Sequence, residues 1–163
     1  MPEHWVLNAS PLIVLAQVGR ADLFEALADT VVVPRAVVAE IEAGPEGDPA
    51  RRWLAGAPVP IVETTSSPQI LAWDLGAGET SVLSYALATR DQTAILDDGA
   101  ARRCAQSFSI PFKGTLAVVI LAKRRGLISS ASEILHALLA NGFRLDEAII
   151  REALARTTGE TWP

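Results

Sequence analysis

The chain has 163 residues, half of them apolar and a fifth charged, with a formal net charge of −5. That composition is globular and the length suffices to bury a core, which excludes a disordered chain. The acidic balance argues against nucleic-acid binding by bulk electrostatics, while leaving room for a local basic patch. One cysteine, Cys104, excludes an internal disulfide, and with only His4 and His136 as histidines a His/Cys zinc site is not expected. The opening MPEHWVLNASPLIVLAQVG lacks the basic region and cleavage site of a signal peptide. No run approaches the roughly 18 apolar residues of a spanning helix. The expectation is a cytoplasmic protein without a membrane, with residues 1–163 as one domain.

In chain order, Trp5–Leu7 reads as a short apolar strand ending at Asn8. Ser10 is placed to cap the next helix, with Pro11 at its first position and Leu12, Ile13, Leu15 and Ala16 on its buried face. Gly19 ends it, and a second helix follows over about Ala21–Ala28. Val31–Val33 is a second buried strand. Pro34 opens a helix running to about Ala43, whose apolar stripe is Val37, Val38 and Ile41, with Glu40 at its border. Gly44–Pro68 is the least regular stretch, with a short helix over Asp48–Ala55 and a short strand over Pro60–Glu63.

The centre of the chain is GAGETSVLSYALATRDQTAILDDGAARRC, from Gly76 to Cys104. The spacing predicts a helix over about Glu79–Thr89 with Val82, Leu83, Ala86 and Leu87 inward. Glu79 lies three and four residues before Val82 and Leu83, so it projects from the same face, where a lone charge needs a partner. Thr93–Leu96 fits a buried parallel strand that delivers Asp97 and Asp98 at its C-terminal end. Cys104, among Ala101, Ala105 and Phe108, reads as a small buried hydrophobe rather than a catalytic thiol, since no base accompanies it. Ile110–Phe112 is another short strand. Gly114 begins a strongly apolar helix ending in Lys123-Arg124-Arg125, and helices over about Ala131–Ala140 and Asp146–Arg156 complete the chain. Short apolar strands alternating with helices argue for an α/β sandwich with a mostly parallel sheet.

Asn8, Glu40, Glu79 and the pair Asp97-Asp98 then stand out. Strand C-termini and the N-termini of following helices share one edge of an open α/β sheet, where ligands bind. Two like charges about 4 Å apart repel by roughly 4 kcal/mol at an effective dielectric of ~20. Carboxylates converging there must therefore protonate or share a cation. All-oxygen donors select a hard ion, Mg²⁺ or Mn²⁺, which suits hydrolysis of a phosphodiester. Each member also has a plainer reading. A glutamate in a first helical turn serves as a dipole partner, and Asp-Asp-Gly is an ordinary turn and cap sequence. A phosphatase or receiver-type α/β domain would also place aspartates at strand ends. Here Asn8 stands where a nucleophilic aspartate would be needed, and no phosphate-binding lysine is suitably placed.

Five stretches together carry a family resemblance: NASPLIVLAQVGRADLF, VVVPRAVVAEI, GAGETSVLSYAL, AILDDGAARRCA and GTLAVVILAKRRGLIS. In these the chain resembles the PIN-domain nucleases, specifically the small VapC-like toxins and a related subgroup of short prokaryotic PIN-like proteins. The resemblance implies a three-layer PIN-like sandwich whose acidic residues gather around Mg²⁺ or Mn²⁺. It puts Asn8, Glu40 and Glu79 at the first three positions. Asp98, with Asp97 assisting, takes the fourth. Ser10 matches the small hydroxyl beside the first position. Asn8 departs from the family's usual aspartate: its amide oxygen can ligate a hard cation but brings no charge, which weakens affinity. The resemblance further implies metal-dependent endoribonuclease activity on RNA and a role as the toxin of a toxin–antitoxin pair, with a small cognate antitoxin and a homodimer. RNA reaching an acidic site needs flanking cations. Arg102 and Arg103 are closest in sequence to the Asp pair, with Lys113 and the Lys123-Arg124-Arg125 run behind them. The rival expectation, motivated by Asn8, is a catalytically weak PIN-like module acting by protein or RNA binding.

Overall fold

The computed structural model describes residues 2–56 and 59–163. Among them, five strands form one parallel sheet in the order β3-β2-β1-β4-β5. The strands are β1 (His4–Leu7), β2 (Thr30–Pro34), β3 (Ile61–Val62), β4 (Gln92–Ile95) and β5 (Phe112–Lys113). Every residue of β4 is buried, and so are the last three of β1. Neighbouring side chains on a strand point to opposite faces, so both faces are covered, as parallel sheets require. This is the α/β sandwich with a central parallel sheet that the alternation of elements predicts. The edge strands β3 and β5 are two residues long, which leaves little unpaired backbone exposed.

Helices α1 (Ala9–Gln17) and α2 (Asp22–Leu27) connect β1 to β2. Helices α3 (Arg35–Glu42) and α4 (Pro49–Gly56) precede β3, while α5 (Pro68–Leu71) and α6 (Ala77–Ala88) lie between β3 and β4. Helix α7 (Gly99–Ser107) links β4 to β5, and α8 (Thr115–Arg124), α9 (Ala131–Ala140) and α10 (Glu147–Thr157) follow. Helix α6 packs on β1, β2, β4 and α3, while α8 packs on α2, α9 and α10. Among the described residues no helix is long and apolar enough to cross a membrane.

The strand order matters for the site. The chain builds outward from β1 through β2 to β3, then crosses to the other side of β1 to lay down β4 and β5. The order therefore reverses between β1 and β4, and the crevice beyond the C-terminal ends at such a point is where open α/β sheets bind ligands. β1 and β4 pair from His4↔Gln92 to Leu7↔Ile95, so they end level. The Asn8 amide then donates to the Ile95 carbonyl at 3.0 Å. Asn8 and the Asp97-Asp98 pair thus leave the sheet side by side at the reversal.

Some local expectations give way to packing. Asn8, not Ser10, is the N-cap of α1, and Ser10 lies exposed inside the first turn. The helix starts as soon as β1 ends, so Pro11 falls within that turn rather than at its first position. Helix α6 begins at Ala77, two residues before Glu79. Leu87 is 37% exposed near the end of α6, whereas Val82, Leu83 and Ala86 are buried as expected. The last strand lies at Phe112–Lys113, later than Ile110–Phe112. Cys104 is fully buried on α7, where burial pushes its thiol up and keeps it unreactive. The C-terminal tail folds back on α9. Glu160 accepts hydrogen bonds from the Ser130 hydroxyl at 2.9 Å and from the amides of Ala131 at 3.0 Å and Ser132 at 3.2 Å. Trp162, 6% exposed, stacks on His136 with ring centroids 3.9 Å apart.

Candidate functional site

Asn8 is 2% exposed at the β1–α1 junction. Its side chain does not cap α1. Its Nδ2 instead donates to Glu79 Oε1 at 3.4 Å, a long bond, while its buried Oδ1 has no hydrogen-bond partner among the described residues. An unpaired buried carbonyl of this kind costs roughly 1–3 kcal/mol, so this oxygen calls for a donor or a cation.

Three helical positions surround it. Glu79 is the third residue of α6, and its Oε2 folds back against Gly76, where a Cβ would meet it at 2.6 Å. Gly78 faces inward. A Cβ there would lie 3.1 Å from Asn8 Oδ1 and 3.2 Å from Glu40 Oε1, so both oxygens border the same bare backbone position. Glu40 is an exposed residue of α3, but this oxygen turns in to the seam with α6. Loss of hydration there, and then the neighbouring Glu79 carboxylate, push the Glu40 carboxyl above its ordinary range. The sequence patterns that suggested Glu79's inward projection and Glu40's rim position thus correspond to one cleft. Gly78 was not foreseen. Its signal was a glycine in the first turn of a helix, a costly choice unless something approaches the backbone closely.

The aspartate pair is used differently from expectation. Asp97, half-buried, accepts the Thr115 amide on Oδ1 at 2.8 Å and the Thr115 hydroxyl on Oδ2 at 2.7 Å, which fixes the start of α8. Gly114 makes room for this, since a Cβ there would lie 2.8 Å from Asp97 Oδ1. Asp98 is exposed and is the N-cap of α7, its Oδ2 accepting the Ala101 amide at 2.9 Å. The turn-and-cap reading of Asp-Asp-Gly therefore describes what these carboxylates do in the fold. Lone pairs remain on both residues for further contacts. Among the described residues, no three His, Cys, Asp or Glu side chains are grouped to hold a metal ion. The four acidic positions do not close into one cage. The structure brings together Asn8, Glu40 and Glu79, with Asp97 and Asp98 on the β4 side of the same edge.

The basic candidates separate in the same way. Arg102 and Arg103 are exposed on α7. Arg102 Cζ lies 5.0 Å from the centroid of the Phe112 ring, a cation–π contact. Its Nη1 is 3.4 Å from the position a Gly114 Cβ would occupy, the same point that Asp97 Oδ1 approaches. Arg103 Nη1 folds back to within 3.4 Å of the corresponding point at Gly99. Lys113 lies on β5. Two members of the Lys123-Arg124-Arg125 run are engaged in the fold: Lys123 donates to the Ser129 carbonyl at 2.7 Å and Arg125 to the Leu27 carbonyl at 2.9 Å. It sits at the far end of α8, about 15 Å along the axis from the Asp97 edge.

The donors fit a hard divalent cation. They are an unpartnered amide oxygen and two carboxylates, all oxygen, beside a glycine that leaves the space between them open. The two negative charges already disfavour one another, and a shared cation removes that conflict.

The model of one protein family, described as DUF3368: PIN domain, matches residues 4–159. No curated protein matches the chain.

Proposed function

That match spans nearly the whole chain, so the chain belongs to this PIN-domain family, and on that footing we propose that it is a divalent-metal-dependent endoribonuclease that hydrolyses RNA phosphodiester bonds. The observation that carries the reading is the unpartnered Asn8 Oδ1, buried beside Glu40 across Gly78 and bonded through its own amide nitrogen to Glu79. Asn8, Glu40 and Glu79 would hold Mg²⁺ or Mn²⁺, with Asp97 and Asp98 completing the donors from the β4 side. Such an ion, when bound, makes water nucleophilic near neutral pH and neutralises charge on a phosphoryl group.

The chain's own groups do the positioning. Glu79 orients the Asn8 amide so that its oxygen faces the cleft. Asp97 anchors α8 through Thr115 and leaves the Arg102 guanidinium on the same side to meet an approaching phosphate. Arg103 and the exposed Ser10 are further substrate contacts on the rim. The biological reading that accompanies this chemistry is the toxin of a toxin–antitoxin pair, acting as a homodimer in the cytoplasm and neutralised by a small partner protein.

A second reading rests on Asn8 itself. Where the wider family has an aspartate, an amide leaves one charge fewer to hold the ion, and a module that binds RNA or protein with little cleavage follows from that. The deciding experiment is cleavage of a mixed RNA pool by the purified chain with Mn²⁺, with Mg²⁺ and with chelator, alongside Glu79→Gln. Metal-dependent cutting lost in a folded Glu79→Gln supports the nuclease. No cutting by a folded chain supplied with metal supports the binding module, and unchanged cutting by the variant removes Glu79 from the mechanism.

A further inference from the structure

A second concave feature lies along the same two helices as Glu40 and Glu79, and its lining is unlike their surroundings. A cavity of about 530 Å³ opens between α3, α5 and α6, within the size range of small-ligand sites. Its floor is made of small side chains. Ala36 lies one turn before Glu40, Ala39 is adjacent to Glu40, and Ala77 is two residues before Glu79. Leu71 and Leu75 form an apolar wall, with Leu71 54% exposed. Arg35 follows β2 directly and Glu63 follows β3, so the cavity opens on the same strand-end edge as Asn8.

We propose that this cavity seats a nucleoside of the RNA strand beside the phosphate to be cut, with preference for bases that carry an exocyclic amino group. The inference rests on the nuclease reading and adds the substrate subsite to it. A slot floored by alanines and walled by leucines suits the flat apolar face of a base, which gains by burial against aliphatic groups. Among the described residues no aromatic side chain lines it. The polar lining sets the edge preference. The Ser81 hydroxyl donates to the Gly78 carbonyl at 2.8 Å and the Thr80 hydroxyl to the Leu75 carbonyl at 3.5 Å. With its hydrogen engaged the Ser81 oxygen is left as an acceptor, as is Glu63; the Thr64, Ser66 and Thr80 hydroxyls can turn to accept as well, so acceptors outnumber the one obligate donor, Arg35, and favour an amino edge. Arg35 pairs through Nε with Glu63 at 3.0 Å, and its terminal amino groups remain for ribose or phosphate. A peptide partner would want an extended groove. This cavity is confined between α3, α5 and α6, with Ala39 and Ala77 one and two residues from Glu40 and Glu79.

The test joins two readouts on the full chain. Amide NMR spectra are recorded with Mg²⁺ while adenosine, cytidine or uridine 5′-monophosphate is added, with inorganic phosphate as the control. Cut sites in a mixed RNA pool are sequenced for the parent, for Ala36→Leu, which fills the slot, and for Leu71→Ser. The Leu71→Ser change lies at an exposed position and leaves the core intact if Ala36→Leu fails to fold. The expected result is saturable shifts on α3 and α6 with the adenosine and cytidine nucleotides, weaker with uridine and absent with phosphate. The variants should weaken these by roughly tenfold and flatten the base preference at the cut site. Metal-dependent cutting whose base preference neither variant changes overturns the subsite and leaves the nuclease standing. No cutting, with nucleotide shifts that the variants abolish, retains the nucleoside seat and removes the nuclease. Equal shifts with phosphate alone, or variants that dissolve a dimer without touching the nucleotide shifts, overturn the proposal.

Discussion

Gly78→Ala separates function from stability at a single methyl group. In a helix, alanine is favoured over glycine by up to about 1 kcal/mol, and Gly78 lies in the first turn of α6 with no need for a left-handed backbone. On that ground alone the variant should melt at the parent's temperature or slightly above it. The new Cβ, however, would sit 3.1 Å from Asn8 Oδ1 and 3.2 Å from Glu40 Oε1, inside the roughly 3.5 Å at which non-bonded heavy atoms rest comfortably. Glu40, exposed and flexible, can swing aside. Asn8, 2% exposed at the end of a central strand, has nowhere to go. The methyl therefore displaces Glu40 and occupies the space an ion would need. Misplacement of this order at a reacting centre costs about two orders of magnitude in rate. Mn²⁺ titration by calorimetry, a thermal melt in chelator and the RNA-pool assay should show weakened metal binding and lost cutting in a chain that still melts cooperatively, its melting temperature set by alanine's helix gain against the tight Asn8 contact. A Gly78→Ala chain that binds Mn²⁺ and cuts RNA like the parent would refute the placement of the cation between Asn8 and Glu40.

Asn8→Asp adds a third carboxylate to the cleft, so Mn²⁺ should bind at least roughly tenfold more tightly while the metal-free chain melts lower; calorimetry and melts with and without chelator read both effects. If RNA cleavage also rises steeply, the parent is the weakened module. Glu40→Gln should stabilise the metal-free chain at neutral pH. The native carboxyl is raised above its ordinary 4.5 by lost hydration and by Glu79, so its ionisation penalises folding once the pH climbs through that raised value and not below the unfolded one. Melts across pH should show the variant ahead near neutrality and level with the parent below about pH 4.5; a variant never ahead of the parent counts against the Glu40–Glu79 conflict. Glu160 has the opposite sign. Burial works against its charge, but bonds from Ser130, Ser132, Ala131 and Thr158 outweigh it and lower the carboxyl below its ordinary 4.5. Its stabilising effect is therefore present above the unfolded value and lost as the pH falls through the native one. Glu160→Gln should melt lower than the parent at neutral pH and converge with it in acid; parallel melting curves at every pH would show that the carboxylate does not anchor the tail.

What the sequence carried depended on the range of the interaction that decides each feature. The strand at β4 was legible, though read one residue late as Thr93–Leu96 against Gln92–Ile95, because a short apolar run between turn residues fits a buried strand. Glu79's inward projection was legible because three- and four-residue spacing is local geometry. The reversal of strand order between β1 and β4 was not, since it depends on which strands pair across the chain, and that reversal is what makes Asn8 and Asp97 neighbours. Gly78 was hidden for the same reason: its importance lies in what Asn8 and Glu40 bring to it from other elements.

The aspartate pair shows where residue type and residue role part company. Asp97-Asp98 after a strand is equally a ligand pair and a pair of helix caps, and local sequence cannot choose. Thr115, seventeen residues beyond Asp98, does choose for Asp97, by meeting both of its oxygens, while Ala101 takes Asp98. A carboxylate already held by two donors is fixed in place and its charge is partly spent on them. Such a group is better suited to orient the β4 side of the crevice than to hold a cation alone. The two carboxylates without that engagement, Glu40 and Glu79, are the ones that press on each other across the seam of α3 and α6. The conflict between them, together with the orphaned oxygen of Asn8, is the part of this molecule that the proposed cation would relieve. Stability lost there in the metal-free chain is the expected sign of a functional cleft rather than of poor packing.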